Sequence, residues 1–242
     1  MNTYRRNAIA AGILLLIATL AAILGSALYR PFLSDPVDLT SVAANTTPIF
    51  AGALVQLVGY AACPAIALAL YPVLRRYSEA PALGSVAFRV IEAVFYSLSV
   101  IGLLLLVKVS QEAVQPGVTD PSQFQATAAI LVAGRDLVGS VAGVMFFACG
   151  GLLYYWVLFQ SAIVPRWLSG WGLIGASMSL GTAVLVLFQA VVPMSTAHIV
   201  LNLPIAVQEM VLAVWLIAKG FDRRVAESAP VPAGSFAGAH AA

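Results

Sequence analysis

Six apolar runs, each about as long as the hydrocarbon core of a bilayer requires, leave this chain few ways to fold. They cover residues 8–29, 49–74, 85–110, 135–160, 170–192 and 198–218. A helix needs ~20 residues to cross a core of ~30 Å. Within that core every backbone N–H and C=O must find its partner inside the protein, so only helices and closed barrels cross it. Uninterrupted apolar runs of this length, without strict alternation, select helices. Composition agrees, since only 9% of the residues are charged, against about 25% in a soluble domain. The expected fold is an all-α bundle of six transmembrane helices occupying residues 1–225. The helical pattern from Ser122 to Ser161 is too long for one span, so a short surface helix, residues 122–134, is placed before the fourth span. Residues 226–242, rich in Ala, Gly and Pro, are expected to be disordered.

The basic residues orient these spans. Arg5, Arg6, Arg75, Arg76, Arg166, Lys219, Arg223 and Arg224 fall on one side, and Arg30, Lys108 and Arg135 on the other. Positive charge follows cytoplasmic loops, which predicts a multi-pass protein with both termini in the cytoplasm. A formal charge of +2 gives no reason to expect a nucleic-acid partner. Cys63 and Cys149 lie inside apolar runs and read as free thiols. Trp156, Trp167, Trp171 and Trp215, with Tyr71, Tyr77, Tyr154 and Tyr155, gather toward the cytoplasmic ends of the spans and read as an interfacial belt.

The chemistry lies in the few polar residues at membrane depth. The third run holds Arg89 and Glu92, three residues apart and therefore on one helix face, with Tyr96 and Ser99 continuing the stripe. An ionisable side chain at the bilayer centre costs ~2.5–3.5 kcal/mol on insertion scales unless it is paired or hydrated. The second run carries Gln56, Tyr60 and Cys63 on one face, beside a Pro64 expected to kink the helix, and the sixth carries Asn202 and Glu209. Small residues at regular spacing, Gly139 and Gly143 in the fourth run and Gly172 and Gly175 in the fifth, read as close-approach faces between helices. With 1.5 Å per residue, Arg89 lies roughly 7 Å inside the cytoplasmic boundary, Glu92 roughly 12 Å and Glu209 roughly 15 Å. If the third and sixth spans meet, Arg89 bridges both carboxylates, and one cation between two anions leaves a shared proton. The candidate ligand-binding or proton-relay residues are Arg89, Glu92, Glu209, Asn202, Tyr96 and Gln56. A buried structural ion pair is the alternative.

No HExxH, GxSxG, phosphate-binding glycine loop or CxxC spacing occurs. The sequence therefore assigns no catalytic residue, metal ligand or cofactor. Certain motifs do carry a family resemblance. RVIEA in the third run, IVPRWLSGWGLIG around Pro165 to Gly175 and QEMVLAVWLIAKGF from Gln208 to Phe221 resemble the family called domain of unknown function 4386. The resemblance covers nearly the whole chain and implies a bacterial integral membrane protein with several spans. Its motif positions fall on Arg89, Glu92, Pro165, Arg166, Gly172, Glu209, Trp215, Lys219 and Gly220. The family has no established activity, so no reaction is implied.

Two classes of function remain open from the residues. One is a small transporter-like or lipid- and ligand-binding protein, with a polar cavity lined by the second, third and sixth spans. In it Arg89 binds an anionic head group or pairs with Glu92, and Glu209 titrates. The other is a structural or regulatory partner protein that uses the Gly139/Gly143 face. A membrane-embedded lipid-modifying enzyme fits less well, because no nucleophile or metal cluster accompanies the carboxylates. Besides the lipid bilayer itself, the expected partners are a lipid head group or a small molecule.

Overall fold

Each apolar run lies in a long helix, the fifth only as far as Leu187. The computed structural model describes residues 3–34, 36–116 and 122–222, and the C-terminal tail expected to be disordered lies outside them. The elements in order are α1 (Thr3–Tyr29), a 3-10 turn (Arg30–Phe32), α2 (Leu39–Ala44), α3 (Thr46–Leu74), α4 (Glu79–Ala113), α5 (Ser122–Asp136), a π-helical turn (Leu137–Gly143), α6 (Val144–Ser161), α7 (Arg166–Leu187) and α8 (Thr196–Ala218). Among the described residues six helical segments are long and apolar enough to cross a membrane. Cys63 and Cys149 are free thiols.

Local chemistry sets the helix ends. Asp38 caps α2, accepting from the Thr40 and Ser41 N–H groups at 3.0 and 3.2 Å and from the Thr40 hydroxyl at 2.6 Å. The Thr40 hydroxyl first, and the Ser41 N–H second, hold this exposed carboxyl below its ordinary range. Ser195 caps α8 through the His198 N–H at 3.3 Å. Ala162, in the left-handed region at φ 53°, turns the chain between α6 and α7. The chain leaves α7 at Leu187, and Gln189 follows at φ 59°. Gln189 therefore lies beyond the helix. α3 runs unbroken through Pro64, whose missing N–H leaves the Tyr60 carbonyl without its usual helical donor.

The helices form a ring. α3 packs on α1, α4 on α3, α6 on α4, α7 on α6 and α8 on α7, and α8 returns onto α1. In this order α4 and α8 stand opposite each other, so only long side chains aimed at the ring axis bring their polar groups near one another. The α5–α6 segment is one helical stretch of 40 residues, roughly 60 Å at 1.5 Å per residue and about twice the hydrocarbon thickness. Its α5 end packs on α4, and Gln125 Nε2 ties it to the Val37 carbonyl at 2.9 Å.

Glycines set the register between the third and fourth spanning segments. A Cβ on Gly150 would meet the Arg89 side chain at 3.2 Å, one on Gly143 the Tyr96 ring at 2.6 Å, and one on Gly139 the Ser99 hydroxyl at 2.9 Å. The Gly139/Gly143 pair is thus filled from within the chain, by the polar stripe of α4.

Ring closure rests on Arg5. Its guanidinium donates to the Leu216, Ile217 and Ala218 carbonyls at 3.1, 2.6 and 3.3 Å, at the end of α8 where carbonyls lack helical partners. Gly220, at φ 75°, lets the chain turn beneath it, and a Cβ there would lie 3.0 Å from Arg5 Nη1. Arg76 stacks over the Tyr4 ring at 5.5 Å and Lys219 over Trp215 at 4.7 Å at the same basic end. Arg5→Ala should lower the unfolding free energy in detergent by about 2 kcal/mol, the scale of hydrogen bonds from a charged donor. Exposed Arg6→Ala should leave the melting curve in place.

Candidate functional site

The stripe on α4 points its charged end at the ring axis. Arg89 and Glu92 retain only 2% and 1% side-chain exposure. Arg89 Nη1 hydrogen-bonds Glu92 Oε1 at 3.3 Å and makes an ion-pair contact with Oε2 at 3.0 Å. The guanidinium lies over the Phe147 ring, 5.2 Å from its centroid, and its stem fills the space that Gly150 leaves open. Charge, ring and gap therefore come from two adjacent helices and hold Arg89 in one place. Enclosed in this way, it pairs with Glu92 and offers no open face to an external head group.

From the opposite side of the ring α8 supplies Glu209, which is buried and within electrostatic range of both Arg89 and Glu92. The Tyr154 hydroxyl of α6 stands close enough to act on the Glu209 carboxyl. Among the described residues, however, neither that hydroxyl nor Glu209 Oε1 closes a hydrogen bond of normal geometry, and Arg89 Nε is likewise left over. Cys63 of α3 adjoins Glu92 and gives its thiol proton to the Gly59 carbonyl at 3.6 Å. Buried polar atoms left unpaired cost roughly 1–3 kcal/mol each, and with Glu92 Oε2 there are four such atoms from three helices around one point, an unusual concentration.

The other residues singled out by the sequence fall into different places. Tyr96 continues the stripe but belongs to the next layer, where its ring stacks on Tyr60 with centroids 4.8 Å apart. Gln56 is buried against α1, donating from Nε2 to the Tyr29 hydroxyl at 3.1 Å. Asn202 donates to the His198 carbonyl of its own helix at 2.9 Å. The structure thus gathers Arg89, Glu92 and Glu209, puts Tyr96 one layer away, and leaves Gln56 and Asn202 outside the cluster.

Tyr154 and Tyr155 correct the sequence reading. Instead of standing in an interfacial belt, they are 1% and 0% exposed. Gly172 of α7 makes room for the Tyr155 ring. The Tyr155 hydroxyl donates to Gln208 Oε1 at 2.5 Å, and Gln208 Nε2 donates to the Leu168 carbonyl at 3.0 Å, which fixes α8 beside the cluster. Trp156 and Trp167, 50% and 57% exposed, do face outward as a belt requires. Spacing alone does not expose the difference, because Tyr154 and Tyr155 are adjacent and both buried, and the space for Tyr155 comes from Gly172 on another helix.

Among the described residues no group of three or more His, Cys, Asp or Glu side chains is placed to hold a metal ion. The arrangement can hold charge and protons: one fixed cation, two carboxylates, and hydroxyl and thiol groups around them. Glu92→Leu should destabilise the protein by about 3–5 kcal/mol, since it strands a buried guanidinium. Glu209→Gln should stay within about 1 kcal/mol of wild type in the same denaturation series, because it removes excess negative charge and keeps the shape.

The comparison with curated proteins returned no match, nor did that with solved structures. Residues 10–220 match a family described as Domain of unknown function (DUF4386). That match contains α3, α4, α6, α7 and α8, most of α1, and every residue of the charged cluster, and the chain belongs to this family.

Proposed function

We propose that this multi-pass membrane protein is transporter-like, and that the centre of its ring binds and releases one proton as part of moving a small solute. The observation behind this reading is the charge inventory of the cluster. One guanidinium faces two carboxylates, all three groups are buried, and among the described residues no second fixed cation stands beside them. Burying a net negative charge in a low-dielectric interior is costly, and uptake of one proton cancels it. Glu209 is the natural carrier: each carboxylate keeps one oxygen without a hydrogen-bond donor, but Glu92 is tied to Arg89 by contacts at 3.3 and 3.0 Å, whereas among the described residues no cation lies within ion-pair distance of Glu209. Ionisable groups that face a helix bundle's interior serve proton and ion pathways in membrane proteins.

A partner-protein role is less well supported, because Gly139 and Gly143 face Ser99 and Tyr96 of the same chain. The basic end carrying Arg5, Arg75, Arg76, Arg166 and Lys219 favours a bacterial inner membrane with both termini in the cytoplasm. A fluorescent protein fused after Ala242 is then expected to fold and emit in cells. A dark fusion matched by an active periplasmic phosphatase fusion reverses the orientation.

Proton binding has its own measurement. Infrared spectra of the purified protein in detergent near neutral pH should contain the carbonyl stretch of a buried carboxylic acid. Glu209→Gln should remove it, whereas Asn202→Ala should retain it. A wild-type spectrum with no protonated carboxyl overturns the reading, as does a band that survives Glu209→Gln unchanged.

A further inference from the structure

We propose that a groove between α3 and α4, on the outside of the ring, binds one anionic phospholipid, with an acyl chain along the groove and the phosphate on Lys108. The site is separate from the charged cluster and does not depend on its titration. Two helix faces form its walls. Phe50, Ala53, Leu54 and Leu57 supply the α3 wall, and Ile101, Leu104, Leu105 and Lys108 supply the α4 wall. Both sets follow the same spacing of three, one and three residues, which puts each on one face of its helix. Seven of these eight side chains are apolar, and the eighth is a cation.

The groove is open to the surroundings of the bundle and holds about 450 Å³, within the range of ~300–1,000 Å³ common for ligand pockets. Ala53, 2% exposed, is its floor, and the rims at Leu54 and Leu105 keep 63% and 49% exposure. α3 and α4 run in opposite directions. Phe50 and Lys108 therefore stand together toward the end of the bundle that carries Arg30 and Arg135. Leu57 and Ile101 lie ~10 Å deeper, seven residues along each helix. The cation thus occupies the mouth, and the apolar length runs from it toward the middle of the membrane.

Charge decides what fills it. The other cations of this end are engaged within the chain. Arg30 Nη2 donates to the Met194 carbonyl at 2.9 Å. Arg135, one layer beyond Tyr96, donates to the Tyr29 hydroxyl at 2.7 Å and to Asp136 Oδ1 at 3.1 Å, and Ser99 Oγ donates to its carbonyl at 3.1 Å. Lys108 is exposed, and among the described residues no carboxylate pairs with it. Asp38 is used in capping α2, and Glu112, one turn ahead on α4, is exposed without reaching ion-pair distance. An apolar helix laid in the groove would set hydrocarbon against the Lys108 ammonium. A phospholipid matches both parts, with a phosphate at the mouth and hydrocarbon below it. Basic positions between membrane helices bind anionic head groups in this way.

Native mass spectrometry of the purified full chain tests this, with phosphatidylglycerol and phosphatidylcholine of identical acyl chains added in equal amounts. The first lipid bound to the wild type should be phosphatidylglycerol by about fivefold, the effect of ~1 kcal/mol for one basic residue near an anionic surface. Lys108→Gln should abolish that preference, and Lys108→Arg should keep it. Leu105→Trp, which fills the groove from an exposed rim, should lose occupancy by both lipids. Leu98→Trp, similarly exposed on α4 but outside the groove, should retain it. Leu54→Trp on the α3 wall repeats the measurement if Leu105→Trp lowers the melting temperature. A preference that survives Lys108→Gln overturns the proposal and assigns it to cations elsewhere. Unchanged occupancy in the groove-filling variants overturns it as well, since the acyl chain then lies outside. A wild type that keeps neither lipid, or that runs as a dimer dissociated by Leu105→Trp, overturns it in turn, the dimer placing a second copy in the groove.

Discussion

A guanidinium at the depth of Arg89 cannot stand alone, and much of the bundle is arranged to keep it company. Its charge is matched by Glu92 one turn ahead, its face by the Phe147 ring, and its stem by the missing side chain of Gly150. Those provisions come from helices adjacent in the ring. Glu209, the excess anion, comes from the helix across it. The ring order makes this possible, because it aims one face of every helix at a common axis. A polar group placed there is shielded from lipid without requiring its own neighbours in sequence.

The same logic explains why the glycines of the fourth spanning segment face the polar stripe of α4. Gly139, Gly143 and Gly150 take up Ser99, Tyr96 and Arg89, running in the opposite direction along the chain. In a membrane, helix association depends on packing and interhelical polar contacts, because lipid tails are as apolar as leucine. Close approach at these glycines therefore both holds the pair of helices and sets the height of each polar layer. The ion pair, the stacked tyrosines and the Arg135 layer follow one another along a single seam.

Much of this was readable before any coordinates. Arg89, Glu92 and Glu209 announce themselves as charges inside apolar runs, and helix periodicity puts the first two on one face. The six spans follow from length and hydropathy. Other features depended on which helices meet, and sequence spacing does not carry that. Tyr154 and Tyr155 sit near a span end next to Trp156, where a belt is the ordinary expectation, and only Gly172 on another helix creates the space that buries Tyr155. Gln56 shares a face with Tyr60, yet it turns toward α1 because Gly25 and Tyr29 receive it there. The π-helical turn has no local signature, since the extra residue it accommodates breaks no composition rule.

The grip of Arg5 on the last carbonyls of α8 also bears on biogenesis. In synthesis α1 must wait for α8 before the circle closes, and until then the charged interior lacks Glu209 and its wall at α8. A nascent chain made N-terminus first therefore carries a half-built polar interior while five of its spans are already inserted. Arrival of α8 and burial of the charges become the same event. A chain cut short before α8 would announce itself to the cell by an open seam lined with polar groups.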